Sequence, residues 1–105
     1  MEHEIIQDIK DLIKLHDLQK IKSYYIDILN KKNELDIQNI YKQLILYACY
    51  NGSTEIIKFF LDLYYHFDDI SKIALRQLFF YCKYILIRQK KDFKYFEQFL
   101  NKIRL

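Results

Sequence analysis

The sequence predicts an all-α protein, a short α-solenoid of three helix hairpins, and three observations predict it. Apolar residues recur at spacings of three and four along the whole chain. Proline is absent and glycine occurs once in 105 residues, too few turn formers for an all-β or glycine-loop fold. One helical pattern also returns at a period of about 36 residues, the mark of stacked helical repeats.

The helices follow in order. Ile5, Ile6, Ile9, Leu12 and Ile13 form one stripe, giving a first helix over about 4–15. Leu18, Ile21, Tyr25 and Ile28 give a second over about 18–30. Asp17 precedes it as an N-cap, because its carboxylate can accept from the free amides of the first turn. After "NKKNELD" the pattern resumes with Ile37, Ile40, Tyr41, Leu44, Ile45 and Ala48, a third helix over about 37–50. Ile56, Ile57, Phe60, Leu61 and Tyr64 give a fourth over about 54–66, Ile70, Ile73, Ala74, Leu78, Tyr81 and Ile85 a fifth over about 69–88, and Phe93, Phe96, Phe99, Leu100 and Ile103 a sixth over about 93–104.

The lone glycine, Gly52, stands between the third and fourth helices. A helix commonly closes on a residue with positive φ, which glycine adopts without a Cβ clash. The expectation is therefore that Gly52 ends the third helix with positive φ. Ser53 follows as the cap of the fourth, and Glu55 lies in its first turn, where the helix dipole favours an anion.

The repeat is read by superposing the even helices. Ile21, Ile57 and Phe96 fall in one column, Tyr24, Phe60 and Phe99 in a second, Tyr25, Leu61 and Leu100 in a third. The caps Asp17, Ser53 and Asp92 coincide as well. In the odd helices "LILYAC" matches "LFFYCK" at an offset of about 34. The units cover about 4–32, 36–67 and 69–105 within a single domain spanning 1–105.

The stretch "YACYNGSTEIIKFFLDL" resembles the second half of an ankyrin repeat. Ala48 and Cys49 occupy the family's small pair. Gly52, Glu55, Ile56, Ile57, Lys58, Phe59, Phe60 and Leu61 match the glycine, acid and aliphatic positions. "HDLQKIKSYYIDIL" looks like a weaker copy with His16 in the glycine place. The family's Thr-Pro-Leu-His tetrapeptide is replaced by "QLIL", and the Asp-Gly signals of its finger β-turns are missing, so those fingers are expected to be reduced or absent. The resemblance implies a stack of three ankyrin-like hairpins acting as a protein–protein interaction module without catalysis. The variable residues before each turn would face a partner: Lys14 and Leu15, Tyr50 and Asn51, Lys83 and Tyr84.

Composition narrows the chemistry. Apolar residues make up 51% and charged residues 30%, so the chain should fold rather than stay disordered. Valine is absent while Ile, Lys, Asn, Tyr and Phe abound, a usage that AT-rich codons produce. Degenerate ankyrin-like chains of this kind resemble those encoded by large AT-rich DNA viruses, and a viral or microbial factor binding a host protein is the setting this implies. The acidic start "MEHEIIQDIK" is no signal peptide, and the apolar runs are too short to span a bilayer, so an intracellular, cytoplasmic protein with reduced thiols is expected.

No catalytic, metal or cofactor site is read from the residues. His3, His16 and His66 share no ligand spacing with Cys49 and Cys82, which are expected as buried thiols in a packed seam. Asp68–Asp69 and Asp8–Asp11 suit capping and solvation. The formal charge of +3 is uneven: residues 83–105 hold Lys83, Arg88, Lys90, Lys91, Lys94, Lys102 and Arg104 against Asp92 and Glu97. Two alternatives to a partner-binding module therefore remain open, a small nucleic-acid-binding protein using this basic stretch and a self-associating structural subunit, a possible homodimer.

Overall fold

The computed structural model describes residues 2–103, and Arg104 and the chain's last position lie outside them. Six α-helices account for nearly all of these residues, and no strand occurs among them. They are α1 (Glu2–Lys14), α2 (Leu18–Lys31), α3 (Glu34–Asn51), α4 (Thr54–Leu63), α5 (Asp69–Arg88) and α6 (Lys94–Ile103), with a 3-10 turn, Tyr64–His66, after α4.

Local chemistry sets the helix starts. The Asp17 carboxylate accepts from the Lys20 amide and the Ser53 hydroxyl from the Ile56 amide, as expected. Asp68 caps α5 through the Ser71 amide at 2.7 Å. Asn33 caps α3 through the Asp36 amide, so α3 begins three residues before the expected 37. Side-chain acceptors at these positions satisfy amides that the helix itself leaves unpaired.

The turns overturn one expectation. Gly52 does end α3, yet its φ is −86° and its ψ 168°, extended backbone rather than the positive φ expected. Its amide donates to Ala48 O at 2.7 Å, and a Cβ placed on it would stand 2.7 Å from that same oxygen. Glycine is required here by close approach, not by handedness. The left-handed residues are His16 (φ 55°) and Lys90 (φ 56°). At both, the amide bonds three residues back and the next amide five back: His16 to Ile13 O and Asp17 to Leu12 O, Lys90 to Ile87 O and Lys91 to Leu86 O. Both turns are Schellman closures with a side chain where glycine is usual.

Packing runs from α1 to α3 to α5, and each of these helices also packs against the one that follows it in sequence. Ile21, Ile57 and Phe96 are all buried, as the repeat requires. The centre is aromatic. Tyr41 sets its ring edge-on to Phe60, Phe67 and Phe79, and Phe79 meets Tyr64, Phe96 and Phe99 in the same manner. Where α4 gives way to the 3-10 turn, the Tyr64 amide turns to Leu61 O, and the buried Tyr41 hydroxyl donates to the Phe60 carbonyl. Burial pushes the Tyr41 phenol well above its ordinary range, so it remains a donor.

The face that α5 buries is not the one its apolar spacing predicts. Ile70, Ile73, Ala74 and Tyr81, expected inward, are exposed, while Ser71, Leu75, Phe79, Cys82, Ile85 and Leu86 are buried. The reason is that α5 carries apolar residues on two opposite sides, with Lys72, Arg76 and Lys83 on one flank between them, so periodicity does not choose which side is buried. Packing chooses it: Phe79 fits among four rings, and the small Cys82 lies against Cys49 of α3.

Candidate interaction surface

The exposed side of α5 is the most distinctive feature of the molecular surface. Ile70 is 81% exposed, Ile73 63% and Phe80 63%, and Tyr81, Tyr84 and Ile87 are each about half exposed. Helical geometry, about 100° per residue, places all six within one stripe opposite the buried Leu75, Phe79 and Leu86. At the far end of the row of packed helices, α1 shows solvent a polar face of Glu4, Gln7, Asp8 and Asp11. Apolar side chains scattered singly over a surface are ordinary, but a continuous stripe marks a contact site.

Beside the stripe lies an open groove of about 380 Å³ lined by Tyr50, Tyr81, Tyr84, Ile85, Arg88 and Gln89. Tyr81 and Tyr84 stack with ring centres 6.5 Å apart. The Arg88 guanidinium lies 5.7 Å from the Tyr84 ring centre and donates to the Tyr84 hydroxyl at 3.0 Å. The Tyr81 hydroxyl beside Tyr50 raises the Tyr50 phenol above its ordinary value, so that ring stays a neutral hydrogen-bonding group. Rigid aromatic surface with a polar tip buries area at little entropic cost.

The expected partner residues are only partly gathered. Tyr50 and Tyr84, from different hairpins, line this one groove. Asn51 is exposed at the end of α3. Lys83 turns instead toward α6, where it pairs with Glu97 at 3.1 Å and lines a different groove with Phe80 and Leu100. Lys14 and Leu15 are exposed at the end of α1 and line neither groove. Ile70, Ile73, Phe80, Tyr81 and Ile87 are the residues that sequence reasoning missed. The available signal was that "IALRQLFFYCKYILI" carries apolar residues on two opposite sides, its cations Arg76 and Lys83 sharing one flank.

The basic stretch is partly committed within the fold. The Lys91 ammonium donates to the carbonyls of both Cys49 and Tyr50 at 2.9 Å, closing the C-terminus of α3, and partial burial lowers its pKa. With Lys83 in an ion pair and Arg88 on Tyr84, three of the six cations of this stretch among the described residues already have partners within the chain. Cys49 and Cys82 are buried free thiols in contact, and the contact with Cys49, together with burial, pushes the Cys82 thiol well up. Such thiols are poor nucleophiles. His3, His16 and His66 lie at the surface. Among the described residues no three His, Cys, Asp or Glu side chains stand together so as to hold a metal ion, and no helix is long and apolar enough to cross a membrane.

Comparison with protein families, with curated proteins and with solved structures finds no match to this chain.

Proposed function

We propose that the chain is a non-catalytic protein–protein interaction module of ankyrin-like helix hairpins, binding through the outer face of α5 together with Tyr50. One observation carries this reading: six large apolar side chains stand exposed in a single stripe on a helix whose opposite side is fully packed. A face this apolar suits a protein surface and disfavours nucleic acid, whose recognition relies on unpaired cations. The row of α1, α3 and α5, each backed by its hairpin partner, and the buried small pair Ala48 and Cys49 support the ankyrin-like description. The composition supports a viral or microbial setting.

A photo-crosslinking residue placed at Tyr81, with one at Asp27 on α2 as control, tests the reading. Protein adducts at position 81 and not at 27 are the expected result. Binding should also fall about 100-fold or more in a Tyr50→Ala/Tyr84→Ala variant, since central aromatic anchors contribute about 2 kcal/mol each, about 1,000-fold for the two if additive. Nucleic-acid adducts, or binding abolished by Lys90→Glu/Lys94→Glu but unchanged in the tyrosine variant, would overturn it.

A further inference from the structure

We infer that the occupant of the α5 face is a second copy of this chain, packed with its own α5 antiparallel across a two-fold axis. This deepens the interaction-module reading and rests on it. The first argument is symmetry within the helix. Exposed positions pair about the midpoint between Leu78 and Phe79: Ile70 with Ile87, Ile73 with Tyr84, Gln77 with Phe80. At about 100° per residue, these three pairs lie evenly about the direction that α5 turns to solvent. Two copies related by a two-fold through this midpoint therefore set Ile73 of one against Tyr84 of the other, twice. This is the self-complementarity that an isologous contact demands.

Charge gives the second argument. The exposed stripe has an acidic start, Asp68 and Asp69, and a basic end, Arg88 and Lys90; the cations between them, Lys72, Arg76 and Lys83, are half-buried along one flank of the helix, Lys83 paired with Glu97. Antiparallel pairing brings the acidic end of each copy to the basic end of the other and opposes the helix dipoles. Parallel pairing would bring like charges together. Size is the third argument. With Tyr50, the exposed side chains offer on the order of 800 Å². That is of the same order as the roughly 800 Å² each partner contributes to a standard interface.

Sedimentation equilibrium of the purified 13.1 kDa chain, from about 1 μM to 0.5 mM, tests this, with dissociation expected in the micromolar range. Ile73→Asp and Tyr84→Asp should each give monomers with unchanged circular dichroism, because both side chains are exposed. Asp69→Lys and Arg88→Glu should each weaken the dimer about tenfold or more, and the double variant should regain most of the loss. A wild-type chain monomeric at 0.5 mM, or a dimer that survives Ile73→Asp/Tyr84→Asp, would refute the inference. Dissociation by the face variants without rescue in the charge swap would refute the antiparallel pairing. A monomer that still crosslinks another protein at position 81 sinks the homodimer alone and leaves the interaction module standing.

Discussion

The Lys91 ammonium sits 2.9 Å from the carbonyl oxygen of Cys49, 42 residues earlier in the chain. The last carbonyls of a helix have no intrahelical donor. A cation at that end also meets the negative pole of the helix dipole. The turn between α5 and α6 thus closes the end of α3, tying the second hairpin to the third. Lys91→Met keeps the apolar stem and removes the donor, and should cost about 1–2 kcal/mol in urea unfolding. An unchanged midpoint would mean that water serves these carbonyls equally well.

Gly52 offers a sharper test, because two explanations of its identity differ in what they allow. A left-handed site tolerates asparagine better than alanine. A site of close approach tolerates neither, since both add a Cβ 2.7 Å from Ala48 O. Gly52→Ala and Gly52→Asn should therefore destabilise by similar amounts, about 1–2 kcal/mol each. Near-wild-type stability for asparagine with a clear loss for alanine would favour a left-handed turn.

The same logic runs in reverse at His16 and Lys90, which hold positive φ with ordinary side chains. A left-handed residue with a Cβ is strained by about 1–2 kcal/mol. Glycine relieves that strain but adds entropy to the unfolded chain, about 0.5–1 kcal/mol. His16→Gly and Lys90→Gly should each raise stability by a few tenths to about 1 kcal/mol, read as a higher melting temperature. Loss of stability in both would show that the side chains hold their turns by contacts of their own.

What the sequence made legible was local physics. Asp17, Ser53 and Asp68 cap the helices they precede because a cap bonds amides two or three residues away. Ile21, Ile57 and Phe96 are buried because the amphipathic even helices have only one apolar side to bury. The misses were set by tertiary structure. The side on which α5 packs depends on the pocket that receives Phe79. Lys91 finds its acceptors across 42 residues. Nothing in "RQKKD" marks Lys90 as left-handed. At Gly52 one residue type answers two conformational demands, and only the backbone tells which.

Asp68 gives a pH dependence whose sign can be worked out. Its carboxylate accepts from the Ser71 amide at 2.7 Å, and that bond, with the Ser71 hydroxyl, lowers its pKa below the ordinary 3.8. A depressed folded-state pKa means that the unfolded chain takes up the proton first as pH falls. The contribution is therefore complete above about pH 4–5 and is lost as the pH drops through the lower folded-state value. Asp68→Asn keeps an oxygen that can accept from Ser71 but removes the charge that meets the positive pole of α5. The variant should melt below wild type at pH 7, and the two melting curves should converge below about pH 3. Every other carboxylate is common to both proteins, so its contribution cancels in the difference. A gap that stays constant from pH 7 to pH 2.5 would mean that the cap acts through its hydrogen bond alone, with no part played by its charge.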